Sequence, residues 1–259
     1  MMFRTIPTVV LGSLVSILLA SPLSARAQGV VLPLPPKDQQ EITKHLGPGV
    51  VGAAVPSKAV GDPASYFPLQ AKAPTFKVTS GPNRGKTQTL RVAQGKRPGG
   101  NPAWRFELSP TLAGFLRQTP EGDLLMPAVS DSGEGVIVVT TPANPFVLKG
   151  MKPGERRSFS QKVAVNYLDD PTDTRYSGSL NGTYTFLGSY QLTVPAGTYA
   201  TDLFRLECQG KVGPAHTQDA AYYFFAPGKG IVAMVSEEEA EAFYIIHIDS
   251  TSGKVLASE

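Results

Sequence analysis

Val194-Pro195-Ala196-Gly197-Thr198-Tyr199 and Phe225-Ala226-Pro227-Gly228-Lys229-Gly230-Ile231-Val232 each place a Pro/Gly turn between runs that alternate apolar and polar residues. A two-residue period belongs to a strand with one buried face. Both stretches therefore read as hairpin connections in an antiparallel sheet. In the first, Pro195 takes the second turn position and Gly197 follows Ala196, which predicts a type I turn with Gly197 left-handed and a local bulge. In the second, Pro227 is followed at once by Gly228, the type II pattern, and Gly230 frees the backbone to enter the next strand.

The neighbouring segments keep the same period. Phe204, Leu206 and Cys208 alternate with Arg205, Glu207 and Gln209; Phe159, Val163, Val165 and Tyr167 alternate with Ser158, Lys162 and Asn166; Tyr184 and Phe186 alternate with Thr183 and Thr185. Polar outer faces argue against a parallel sheet covered by helices on both sides. Further strands are expected at Phe76 to Thr79, Thr87 to Val92, Trp104 to Leu108, Phe115 to Gln118, Leu124 to Met126 and Val136 to Thr140, with a Gly-rich loop from Gln94 to Pro102.

Residues 66 to 236 resemble a family of uncharacterised, secreted, β-rich bacterial proteins. The resemblance rests on Tyr66-Phe67-Pro68-Leu69, Lys152-Pro153-Gly154-Glu155, the Val-Pro-Ala-Gly-Thr turn and the Ala-Pro-Gly-x-Gly-Ile-Val turn, in that order. The chain departs from the family in having Phe224-Phe225 where a Trp-Tyr-type pair is common, and in an apolar stretch from Ala242 to Ile248 after the last motif. The resemblance implies an envelope location and a curved sheet, and supplies no catalytic residues.

The N-terminus implies export independently. Arg4 precedes an apolar run from Ile6 to Ala20, and Ala25-Arg26-Ala27 supplies small residues before a cleavage point, the pattern of a signal peptide over residues 1–27 with a mature start at Gln28. Pro7, Gly12 and Ser13 interrupt the run, which falls short of the ~20 apolar residues of a membrane span. The sole cysteine, Cys208, excludes an intramolecular disulfide and reads as a small buried apolar residue. Residues 28–65 read as a Pro/Gly-rich arm with a short helix from Pro36 to Leu46 ended by Gly47, and residues 66–259 as one β domain.

Charge excludes one class of partner. Residues 28–120 hold 12 basic and 4 acidic side chains and residues 121–259 hold 10 and 17, so the mature chain is nearly neutral and nothing favours nucleic acid. The basic half, with Arg84, Lys86, Arg91, Lys96, Arg97 and Arg105, reads either as a face for anionic headgroups or polysaccharide, or as one half of a sheet balanced by the other. The second reading is favoured.

Several motifs invite chemistry and lose it on inspection. Gly81-Pro82-Asn83-Arg84-Gly85-Lys86-Thr87 is one residue short of a phosphate loop and runs into a strand, so it reads as a hairpin. Asp169, Asp170 and Asp173 lack the spacing of a calcium loop and read as turn caps. Glu237, Glu238, Glu239 and Glu241 read as a solvated turn, and His45, His216 and His247 are scattered, without a zinc pair. No catalytic, cofactor-binding or metal residue is expected, and no cofactor.

The expected fold is a mainly β protein: a single antiparallel, strongly twisted sheet forming an open or half barrel, with an extended arm and one short helix. Tyr222-Tyr223-Phe224-Phe225 and Phe243-Tyr244-Ile245-Ile246 are apolar on both faces. Either they are central strands covered on both sides, or the sheet curves around an apolar groove lined by Tyr222, Phe224, Tyr244 and Ile246. The leading functional expectation is a non-enzymatic exported envelope protein that binds an apolar ligand or supports envelope assembly. A hydrolase of envelope polymers and an interaction module using an exposed sheet edge are the alternatives.

Overall fold

The computed structural model describes residues 29–68, 73–98, 102–242 and 246–258. The expected signal peptide lies outside the described residues, as does Tyr244. The side chains of residues 238–250, Ile246 and His247 among them, also lie outside.

Among the described residues fourteen strands form one antiparallel sheet that is not closed into a barrel. In chain order they are β1 (Val51–Val55), β2 (Thr75–Val78), β3 (Thr87–Thr89), β4 (Val92–Lys96), β5 (Pro102–Glu107), β6 (Leu112–Gln118) and β7 (Leu124–Asp131). There follow β8 (Val136–Val147), β9 (Arg156–Tyr167), β10 (Thr174–Val194), β11 (Gly197–Val212), β12 (Ala215–Ala226), β13 (Gly230–Ala242) and β14 (Ile246–Ser258). The spatial order is β3-β2-β14-β13-β12-β11-β10-β9-β8-β7-β6-β5-β4, with β1 beside β10. The outermost strands, β3 and β4, are consecutive in sequence and only Leu90 and Arg91 separate them. Three Cα steps of ~3.8 Å allow at most about 11 Å there. The sheet must curl until its two edges nearly meet.

Curling gives the sheet an inner face, and the two-residue period fills it. Phe204, Tyr223 and Met234 are register partners across β11, β12 and β13 and all are buried. Phe186 and Tyr184 stack on Phe204 at 4.6 and 5.6 Å between centroids. A short 3-10 turn, Pro63–Tyr66, then inserts a plug. Tyr66 meets Phe204 and Phe225 edge-on at 6.3 and 6.1 Å, while Phe67 meets Phe106 of β5 and Phe146 of β8 at 5.0 and 5.4 Å. Neighbouring residues thus touch opposite walls. The Tyr66 hydroxyl donates to Asp202 at 2.5 Å and Ser189 Oγ donates to the other carboxylate oxygen, so this half-buried acid is paired although burial raises its pKa.

The turns that motivated the fold have distinct geometries. Lys229 N–H donates to Ala226 O and Gly228 has φ 78°, a type II turn, and Gly228 N–H holds Ser65 O at 2.7 Å. That turn therefore anchors the plug. Gly197 has φ 138°, but Val194 pairs with Gly197 and Thr193 with Thr198 without a register shift. The expected bulge is absent because Pro195 and Ala196 alone make the turn.

Helix α1 (Pro36–Leu46) covers the outer face of β11 to β14 at one end, burying Ile42 and Leu46, and stops at Gly47. The segment read as an arm is bound to the sheet by β1 and by backbone bonds linking Val60 with Gly150 and Met151. Two local expectations fail. The Gly-rich loop begins only after β4, because Val92 to Lys96 pair with Phe106 to Pro102. The acidic run is no turn: β13 extends through Glu237–Glu241, paired on both sides, and Ala242 pairs with Ile246. Of the apolar stretch from Ala242 to Ile248, Ala242 therefore ends β13 and Ile246 to Ile248 open β14, while residues 243–245 lie outside the described residues.

Two outcomes follow from the inner face. Phe67→Ala is expected to lower unfolding free energy by about 3 to 5 kcal/mol, the cost of a large core aromatic, in denaturant titrations. Lys254 is buried on β14, its Nζ donating to Leu108 O, and desolvation pushes its pKa down to about 8 from 10.5. Between those values the unfolded chain binds more protons than the native one, so native stability rises with pH through that window. Lys254→Met, which leaves Leu108 O its bond from Gln88 Nε2, is expected to be the more stable protein at pH 7, by on the order of 2 to 3 kcal/mol. The gap closes toward pH 10.

Candidate functional site

On the outer face the register builds transverse rows of polar side chains. Thr183 on β10 lies between Ser158 on β9 and Glu207 on β11, and Asn181 lies between Ser160 and Gln209, which in turn faces Gln218 on β12. Ser160, Asn181, Gln209 and Gln218 are all exposed, and Ser160 Oγ donates to Asn181 Oδ1 at 2.7 Å. These rows floor an open trough of about 670 Å³ that continues past Asn181, Gln209 and Gln218 into a second hollow of about 600 Å³. Beneath this floor, on the opposite face, one glycine is essential. The Phe159 ring lies where a Cβ on Gly182 would sit, at 2.3 Å, so no side chain fits there.

Helix α1 closes one end of the trough through two polar clusters. In the first, Asp38, 1% exposed, accepts from Arg205 Nη1 at 2.6 Å and from the Tyr222 hydroxyl at 3.0 Å. Arg205 also meets Glu207 at 3.1 Å. Burial, and then Asp38, hold the Tyr222 hydroxyl protonated well above its ordinary range.

In the second, Glu41 and His45 lie one turn apart on α1 and meet Glu237 of β13. His45 Nε2 is 3.0 Å from Oε1 of Glu41 and 3.0 Å from Oε1 of Glu237. His45 Nδ1 is 3.2 Å from Ser80 Oγ, which accepts the Gly253 N–H at 2.7 Å. Hydrogen bonds from Glu237 and Lys44 hold Glu41 down to about 2, whereas burial, and then Glu41, push Glu237 up to about 7. Glu237 therefore takes up a proton at higher pH than Glu41. The helix comes this close because Gly253 has no side chain: a Cβ there would stand 2.5 Å from His45 O.

Of the residues named from sequence as lining an apolar groove, Tyr222 and Phe224 can be placed, and Tyr244 and the Ile246 side chain lie outside the described residues. Phe224 is fully buried in the core with Ile42, Leu203 and Val235. Tyr222 reaches the trough only at its α1 end. Ile246 aligns through Ala242 with Ala215, seven positions along β12 from Tyr222 and about 23 Å away at ~3.3 Å per residue. Tyr222–Phe225 is covered on both sides, by the plug on one and by α1 on the other. An apolar hollow beside Phe67, Phe76, Leu90 and Phe106 measures about 20 Å³, far below a ligand pocket of ~300–1,000 Å³.

Other sequence candidates take structural places. Cys208 is buried with Val163 and Leu180, and burial pushes its thiol up to about 12. Asp170 accepts from the Thr172 N–H and hydroxyl within its own turn. Sequence reading missed Asp38, Glu41, His45, Arg205 and Glu237 as a group. The i, i+4 spacing of Glu41 and His45 was visible, but Glu237 joins them only through the register of β13.

No protein-family model matches the chain, and no curated protein matches it. Solved structures do. The hypothetical lipoprotein YmcC of Escherichia coli K12 is 13% identical with a TM-score of 0.37, over 75% of this chain and 94% of that one. A protein of Bacteroides fragilis described as exported, with a YmcC-like fold, is 12% identical with a TM-score of 0.37, over 78% and 98%. One of Parabacteroides distasonis described as a lipoprotein is 14% identical with a TM-score of 0.32, over 74% and 97%. Among the described residues of this chain no helix is long and apolar enough to cross a membrane.

The first cluster yields a direct test. Asp38→Asn removes the charge facing Arg205 in a buried site and is expected to cost about 3 kcal/mol or more in unfolding free energy. Arg205→Met with Asp38→Asn should recover part of that loss, measured as a double-mutant cycle.

Proposed function

We propose that this chain is a non-enzymatic protein exported to the cell envelope, where the outer face of its sheet holds a hydrophilic, extended ligand such as a polysaccharide segment. The observation that carries the reading is the run of hydroxyl and amide side chains at Ser158, Ser160, Asn181, Thr183, Gln209 and Gln218 along an open trough, all exposed except the half-buried Thr183. Such groups both donate and accept, matching the hydroxyls of a sugar polymer, and the trough continues past a single residue's reach. The signal-like N-terminus supports the location. The packed inner face argues against an apolar occupant.

A hydrolase of envelope polymers finds one argument, the acid pair Glu41 and Glu237 at the trough's end. Glycoside hydrolysis sets its two carboxyl groups ~5–9.5 Å apart so that a bond or a water fits between them. Here ligand atoms of the two carboxyl groups lie within 4.8 Å of each other, with both Oε1 atoms on His45. Binding is the better reading.

Affinity electrophoresis in gels containing purified bacterial envelope polysaccharides tests it. Saturable retardation is expected, weakened at least tenfold by Asn181→Ala with Gln209→Ala, both exposed and therefore neutral in melting. Absence of retardation by every polymer, or saturable uptake of a fluorescent fatty acid by the folded protein, would overturn the reading.

A further inference from the structure

We propose that Glu41, His45 and Glu237 bind a single zinc-class divalent cation, which pins α1 to β13 and keeps one coordination position open to the trough. The three residues come from two elements far apart in sequence, yet their ligand atoms all lie within 4.8 Å of one another. One imidazole nitrogen with two carboxylate oxygens is a ligand set suited to zinc and its neighbours. Bond lengths of ~2.0–2.1 Å put tetrahedral ligands roughly 3.3 Å apart. The two contacts at 3.0 Å need to open by only a few tenths of an ångström.

The hydrogen-bond arithmetic at His45 points the same way. Nε2 offers one proton or one lone pair, but two carboxylate oxygens approach it at the same distance. A cation between the three satisfies all of them together. The other ring nitrogen is already engaged. His45 Nδ1 sits against Ser80 Oγ, which Gly253 N–H fixes in place. An outer partner of this kind orients a metal-bound histidine and selects the tautomer with Nε2 free.

Access and competition are consistent with exchange. The Glu41 and Glu237 side chains are 25% and 27% exposed and both line the trough, which provides an entry path. Lys44 Nζ holds Glu41 Oε1 at 2.8 Å, but this lysine is 63% exposed and leaves by a change of rotamer. The inference stands on the cluster alone and does not depend on what fills the trough.

Isothermal titration of the metal-stripped, tag-free protein with Zn²⁺ at neutral pH is the test, with Co²⁺ absorption as a probe of coordination geometry. One equivalent is expected, with a raised melting temperature and visible Co²⁺ bands of a four-coordinate site. Glu237→Gln, half-buried and with its fold checked by circular dichroism, should weaken binding at least tenfold and remove the melting shift; His45→Gln should do the same. His216→Ala should leave both unchanged. Absence of saturable one-equivalent uptake, equal affinity in Glu237→Gln, or loss of binding in His216→Ala would overturn the proposal.

Discussion

The two residues between β3 and β4 constrain the whole molecule. A sheet of fourteen strands whose edge strands are joined by Leu90 and Arg91 alone cannot lie open, because its ends are tethered within a few residues' length. Once it curls, the two faces of every strand meet different environments. The inner face needs enough apolar volume to fill the space between opposite walls, and Phe146 of β8 closes part of it by meeting Tyr223 and Phe225 of β12 at 5.3 and 5.4 Å. Tyr66 and Phe67 supply the difference, one ring for each wall. The type II turn at Pro227-Gly228 then fixes the plug by its backbone. Turn chemistry and core packing are thus one device.

The outer face is divided instead of uniform. Toward the Tyr222 end, Leu203, Phe224 and Val235 make it apolar, and α1 covers it with Ile42 and Leu46. Toward the other end the same alternation presents Ser160, Asn181 and Gln209, which stay exposed because no element among the described residues lies over them. The trough begins where the helix ends. Its polarity is a consequence of the two-residue period continuing beyond the covered region, so one strand pattern produces both the docking surface and the open surface.

Much of this was legible in the chain. The alternation around Phe204 and Phe159, the Pro/Gly turns and the helix from Pro36 to Leu46 are local patterns, and the antiparallel, unclosed sheet follows from them. The errors share one cause. Glu237 looked like part of a solvated turn because acids repel within a short window, yet across the sheet it faces Ala220 and Thr251, and its carboxyl meets α1. Gln94 to Lys96 looked like loop because of Gly95, but β5 supplies the pairing. Tyr222 and Phe224 share a strand face, as read, but no sequence window shows that a helix lies on top of them. Register and coverage are long-range properties, and site geometry depends on both.

The placement of α1 shows why polar groups are used at a buried junction. Ile42 and Leu46 alone would seat the helix on an apolar patch that tolerates sliding by one turn, about 5.4 Å. Asp38 prevents this. A one-turn slip would put Ile42 against Arg205 and the Tyr222 hydroxyl, leaving a guanidinium without its buried acid, and would move His45 away from Ser80 and Glu237. Gly253 adds a steric stop, since the His45 carbonyl fits only over a residue without Cβ. Apolar burial therefore supplies the attraction and the two polar clusters select the register. The same selection holds Glu41 and Glu237 together at the mouth of the trough, so the chemistry available there is a product of how the helix is aligned.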